Sequence, residues 1–238
     1  LSALHLGRPI LALTAMKNIK TSWLSREALA LGVFTGLMSV IVAVYFFELN
    51  AALRLGLEAL TLVIGIYGIY AQSMIYRIKA RPSWDRVTTN LKFFGVAYIG
   101  AFLLAFLSTL LSVSDVIIPL VSLGMLGAVS QLFFTYEDIR TLDSTKENEY
   151  QLKRSHKLLN ENFKRTKVFR YISLVLGGIL LPLLALVFAS NGSFTLSSIA
   201  LVLSLIIAFS SELSDRFLFY TTVVPLGMAG GFFVGKQR

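Results

Sequence analysis

Few residues in this sequence are of a type that does chemistry beside a bilayer. His5 closes a short apolar opening segment, and Glu27 opens the next apolar stretch after a connector of about twenty residues. That spacing puts both at one membrane face, where they can converge. A neutral imidazole takes up a proton at physiological pH, and a carboxylate beside it can orient the ring, hydrogen-bond a hydroxyl or pass a proton to water. Glu212 and Arg216 end the last strong apolar stretch and are expected at that face, as is the loop Arg81-Pro82-Ser83-Trp84. Each of these also has a plainer role. Ser25 is a natural helix N-cap, which would leave Glu27 in a first turn favoured by the helix dipole. A histidine at an interface can simply hydrogen-bond headgroups or backbone. Glu212 and Arg216 have the spacing of an i, i+4 ion pair. Trp23 and Trp84 suit an aromatic belt. Glu58 and Gln72 fall inside an apolar stretch, where a polar group implies a specific partner.

The composition narrows the chemistry further. There is no cysteine, so disulfides, thiolate metal sites and cysteine-bound iron–sulfur clusters are excluded from this chain. Only two histidines are present, and His156 lies in a hydrophilic stretch. A facing pair of histidine ligands for a b-type haem is therefore not available.

The elements that must position these residues are membrane helices. Hydrophobic residues make up 55% of the 238 and charged residues 15%, with a mean hydropathy of +0.72, which marks the bilayer as the solvent. A hydrocarbon core about 30 Å thick needs roughly 20 apolar residues at the helical rise. Six stretches qualify, at approximately Glu27–Leu49, Leu55–Ile78, Lys92–Val113, Val116–Tyr136, Val168–Ala189 and Thr195–Leu213. The fold expected is all-α, a polytopic transmembrane helix bundle forming a single integral membrane domain over residues 1–238. The opening residues are expected to be the end of an upstream helix. Residues 137–167 are expected to be a hydrophilic loop, its charges at spacings of three and four suiting a solvated helix. Residues 214–238 are expected to be an interfacial or broken-helix tail, because charges at Asp215 and Arg216 interrupt the apolar run, with a seventh crossing from Phe217 to Gly235 as the alternative.

The net charge of +9 does not indicate nucleic acid, since Lys and Arg sit in the segments between apolar spans. They collect on one face: Arg8, Lys17, Lys20, Arg26, Lys79, Arg81 and Arg86 all fall there, against little beyond Arg54 opposite. The positive-inside rule makes that face cytoplasmic. A basic surface docking an acidic partner would give the same pattern.

Leu4-His5-Leu6-Gly7-Arg8-Pro9, followed by Asn18, Ser22-Trp23-Leu24-Ser25-Arg26-Glu27 and Gly32, resembles the membrane anchor subunit family of anaerobic dimethyl sulfoxide reductase. Arg81-Pro82-Ser83-Trp84 with Thr89 and Phe93-Phe94, and Glu212-Leu213-Ser214-Asp215-Arg216 with Phe219-Tyr220 and Leu226-Gly227-Met228, extend the likeness over nearly the whole chain. Leu11 and the long charged segment after Glu137 depart from the pattern.

The resemblance implies eight transmembrane helices in the whole family member, six of them complete here. It implies no haem or iron–sulfur cluster in this chain, and oxidation of menaquinol. The partners implied are an iron–sulfur electron-transfer subunit and a molybdopterin catalytic subunit, at the inner (cytoplasmic) membrane. By similarity His5 and Glu27 are the quinol-binding pair, with Arg8, Trp84, Glu212 and Arg216 as possible support on the same face. The family's His-containing face docks its electron-transfer subunit outside the cytoplasm, which conflicts with the charge reading. A passive anchor without a quinol site and a secondary transporter stay open; the latter needs a midplane site with broken helices.

Overall fold

The computed structural model describes residues 18–48, 50–111, 113–143 and 150–225. His5, Arg8 and Leu226–Met228 lie outside them. Among the described residues every regular element is helical, and six segments are long and apolar enough to cross a membrane: Trp23–Phe46, Ala51–Tyr76, Val87–Leu110, Ser114–Thr141, Lys164–Ser190 and Phe194–Thr221. These are the six stretches expected from hydropathy, and they make the chain a multi-pass membrane protein. The chain divides into two compact units, Leu1–Arg77 and Ile78–Arg238.

In the first unit, α1 (Trp23–Phe46) and α2 (Ala51–Tyr76) form a hairpin. Two glycines let them approach: a Cβ on Gly65 would stand 3.1 Å from the Phe34 ring, and one on Gly68 would stand 3.7 Å from the Ala30 methyl. Small residues of this kind drive helix association where lipid tails remove the hydrophobic incentive. Asn50 caps α2, accepting from Ala52 N at 2.7 Å.

The cap of α1 differs from expectation. Ser22 is the N-cap and accepts from Ser25 N at 3.3 Å, while Ser25 is itself buried inside the helix. Glu27 therefore sits in the second turn rather than the first, and its place is not explained by the helix dipole, which acts on the first turn.

In the second unit, a tight turn through Arg81 and Trp84 leads into α3 (Val87–Gly95) and α4 (Ala97–Leu110). The break between them falls at Val96, whose N–H turns to Phe94 O. The Lys92 carbonyl instead accepts from Gln131 Nε2 at 2.8 Å. A Cβ on Gly95 would stand 2.6 Å from that same nitrogen, so glycine at this position admits the side chain that repairs the break. α5 (Ile117–Asp143) follows a short 3-10 turn, and α6 (Tyr150–Lys157) leads through a π-turn, Leu158–Asn162, into α7 (Lys164–Val175). A second π-turn, Leu176–Leu180, joins α7 to α8 (Leu181–Ser190) ahead of Pro182. π-turns and proline inside a span are tolerated where neighbouring side chains take up the displaced backbone groups. Ser204 Oγ donates to Gly177 O at 2.5 Å and Ser197 Oγ to Ala185 O at 3.0 Å, both from α9 (Phe194–Thr221).

Two expectations change here. Helix α9 runs unbroken through Asp215 and Arg216 to Thr221, because Asp215 is paired with Lys92 inside the bundle and Arg216 lies over the Phe93 ring. Much of the 137–167 segment is helical, and Ser155 and Leu159 within it are buried, so it is not wholly solvated.

The core joins Tyr98, Phe102, Ile117, Val121, Leu174 and Leu201 with Ala128 and Ala208. Around it, Leu123, Leu126, Leu180, Ile206 and Phe209 are exposed, the pattern expected when lipid is the solvent. A Cβ on Gly177 would stand 2.6 Å from the Ala208 backbone nitrogen, whereas one on Gly32 meets nothing within 4 Å. Gly177→Ala should therefore force α9 away and lower stability by about 1–3 kcal/mol, and Gly32→Ala should stay within about 1 kcal/mol of the parent. Thermal unfolding of the detergent-solubilised protein, comparing both variants, checks this; equal melting temperatures would refute the close helix contact.

Candidate functional site

Of the proposed quinol pair, Glu27 alone falls within the described residues. It is half-buried on α1, and Gln72 near the end of α2 hydrogen-bonds its carboxyl. The partner that sequence could not supply for Gln72 is thus Glu27. Beside them Trp23 packs edge-on against Tyr70, ring centroids 5.6 Å apart. Arg26 covers the outer face of Trp23 at 4.1 Å and spends its hydrogen bonds on the connector, Nε to Ile19 O and Nη2 to Lys20 O, both at 2.8 Å. Arg26 therefore secures the connector before α1. At the opposite end of the hairpin, Glu58 finds its partners in Tyr45, which donates at 2.9 Å, and Arg54, at 3.9 Å.

In the second unit the charged residues form a network inside the helix ends. Lys92 Nζ lies 2.7 Å from Asp215 Oδ1 and 3.4 Å from Asp138 Oδ2. Arg86 meets Asp138 Oδ1 at 3.4 Å, and Thr88 hydrogen-bonds the same oxygen. Deeper in, Arg170 pairs with Glu212 at 2.9 Å and stands 3.6 Å from Asp215. The Arg170 side chain is only 1% exposed. Tyr98 donates to Glu212 at 3.1 Å, and Arg170 also donates to Ser211 Oγ at 2.7 Å. Three cations, Arg86, Lys92 and Arg170, thus face three anions, Asp138, Glu212 and Asp215.

Trp84, Glu212 and Arg216 belong to this end of the second unit, in roles other than those expected. Trp84 is buried rather than part of a lipid-facing belt: its indole N–H donates to Phe219 O at 2.8 Å and its ring stacks on Phe219 at 4.9 Å. Thr89 donates to the Trp84 carbonyl at 2.8 Å, and Arg81 covers the ring at 4.2 Å. Glu212 pairs with Arg170 rather than with Arg216. Arg216 lies over the Phe93 ring at 3.9 Å.

Sequence reasoning missed Lys92, Asp138, Arg170 and Tyr98 as members of this cluster. A signal existed for Arg170, an arginine at the third position of an expected span, where a charge is costly unless paired.

Removing one partner of a buried ion pair leaves an uncompensated charge. Lys92→Met should destabilise by about 3 kcal/mol or more, and adding Asp215→Asn should recover a substantial part of it. A double-mutant cycle on unfolding of the purified protein measures the coupling; strictly additive effects would show that the two side chains do not interact.

No solved structure matches this chain. A curated relative from Haemophilus influenzae, one of the chains of its anaerobic dimethyl sulfoxide reductase, is 26% identical over 107 residues, which is 44% of the present sequence and 38% of that protein's length. The match thus spans well under half of the curated relative. The family model described as DMSO reductase anchor subunit (DmsC) matches residues 1–222. Together with the six apolar helices, that coverage of nearly the whole sequence places the protein in the DMSO reductase anchor subunit family.

Proposed function

We propose that this protein is the quinol-oxidising membrane anchor of an anaerobic dimethyl sulfoxide reductase-type complex in the cytoplasmic membrane. It would deliver electrons from menaquinol to an iron–sulfur subunit and so to a molybdopterin catalytic subunit. The observation that carries this reading is Glu27. Its carboxyl is half-buried in the second turn of a membrane helix, its hydrogen-bond partner is the neutral Gln72, and no cation pairs with it among the described residues. A carboxyl held this way is free to exchange a proton.

Quinol oxidation releases two protons and two electrons, so a site needs proton acceptors beside the hydroxyls and an exit for the electrons. Glu27 accepts one hydroxyl proton while Gln72 holds the carboxyl in orientation. His5 accepts the other as a neutral imidazole. Trp23 and Tyr70 provide flat aromatic surface next to Glu27, suited to a planar ring. The electrons leave toward the iron–sulfur subunit, since these 238 residues include no cysteine to bind a cluster.

Membranes carrying the full-length protein with its partner subunits should lose menaquinol-dependent turnover by roughly 100-fold in Glu27→Gln and in His5→Ala, the scale of losing a general base. The complex should remain membrane-bound, and reduction of the terminal acceptor by an artificial dye that bypasses quinol should be retained. Unchanged quinol turnover in both variants would leave the protein as a passive anchor.

A further inference from the structure

The helix ends of the second unit enclose a cavity of about 70 Å³ that quinol chemistry at Glu27 does not use. Four cations line it, Arg86, Lys92, Lys167 and Arg170, against two carboxylates, Asp138 and Asp215. Both carboxylates are already engaged, Asp215 by Lys92 and Asp138 by Arg86 and Lys92. Lys167 is bonded to the neutral Asn160, so its charge is the excess one.

Unused donors accompany that excess. Arg170 commits Nη1 to Glu212 and Ser211 and turns Nε toward Asp215 at 3.6 Å, while its Nη2 makes no hydrogen bond among the described residues. The hydroxyls of Thr135 and Ser83, also in the lining, have no hydrogen-bond partner there either. Arg170 and Thr135 are 1% and 7% exposed. A buried donor without an acceptor costs about 1–3 kcal/mol, and several of them around one small cavity with surplus positive charge call for a compact, oxygen-rich anion. Water would satisfy the donors but not the charge.

The position of the cavity identifies the anion's class. Arg86 precedes α3, Lys167 is in the first turn of α7 and Thr222 follows α9, so the cavity opens where helices end, the level at which lipid headgroups are expected. Basic pockets between transmembrane helices at that depth hold headgroup phosphates.

We propose that this cavity is a phosphoryl-anion site, occupied by the headgroup phosphate of an anionic lipid or by free phosphate. Arg170 offers the N–H groups of its unused Nη2 to a phosphoryl oxygen as a charge-assisted contact, Thr135 donates a hydroxyl, and Lys167 neutralises the charge at the mouth. Ligand binding here would clamp α3, α5, α7 and α9 together.

Native mass spectrometry of the full-length protein in mild detergent tests the site, with phosphatidylglycerol or phosphatidylcholine added, alongside melting curves with inorganic phosphate. Lys167→Gln and Thr135→Val are the variants, since neither belongs to an ion pair in the charge network and both should melt with the parent when no lipid or phosphate is present. The parent should retain phosphatidylglycerol about tenfold better than phosphatidylcholine. Lys167→Gln should lose most of that preference and Thr135→Val about threefold, the effects expected from losing one charged or one neutral contact. Phosphate raising the melting temperature of the parent but not of Lys167→Gln, without retained lipid, would identify free phosphate as the source. A parent showing neither lipid preference nor a phosphate shift, or a preference unchanged in both variants, would overturn the proposal.

Discussion

A charged side chain inside a bilayer must find its counter-charge within reach, and the second unit is organised by that requirement. Lys92, Arg170, Glu212 and Asp215 sit within helices that cross the apolar layer, where the surroundings strengthen attraction and penalise isolation together. Their solution is a shared arrangement rather than separate pairs: Asp215 lies between Lys92 and Arg170, and Lys92 lies between Asp215 and Asp138. Because α3, α5, α7 and α9 each contribute a member, moving any one of them breaks pairs in the others. The network thus fixes which helices are neighbours, a specificity that apolar packing in lipid does not supply alone.

The rest of the unit follows from bringing those helices that close. Gly177 presses on the Ala208 backbone and Gly178 on the Ala128 methyl, so the π-turn and Pro182 lie where α7, α5 and α9 are tightest. Gln131 shows the same economy. Its amide caps the carbonyl freed at the Val96 break, one turn of α5 away from the cavity-lining Thr135 and two from Asp138. Irregular backbone in the bundle is placed where a neighbouring polar side chain can complete it.

The number of spans and the all-helical class were legible because hydropathy over twenty residues is a local property. The ends were not, because Arg170 and Asp215 look like span boundaries until their partners are known. Glu212 and Arg216 illustrate the limit: spacing of four suggests a pair along one helix, but tertiary packing gives Glu212 to Arg170, 42 residues earlier in sequence. Ser25 likewise had the residue type of a cap, and Ser22 took the position because its hydroxyl lies where the Ser25 N–H can reach it. Trp84 had the composition of a belt residue, yet its indole N–H is satisfied by the Phe219 carbonyl, which lets the ring be buried. Glu27 and Trp84 could be singled out by motif; that Gln72 holds the first and Phe219 the second could not.

The carboxylates in the spans differ in what their partners allow them to do. Glu212 and Asp215 face guanidinium and ammonium groups, so removing either side chain would strand a buried cation. Glu58 has Arg54 and the Tyr45 hydroxyl as partners near the turn of the hairpin. Glu27 faces an amide, which donates to a carboxylate and accepts from a carboxylic acid with nearly equal ease once its oxygen or nitrogen is presented. Glu27 therefore belongs to no ion pair among the described residues. That is the property the proposed proton exchange at Glu27 needs. It also accounts for proposing that role for a residue outside the ion-pair network: a group that holds a bundle together is poorly suited to change its charge.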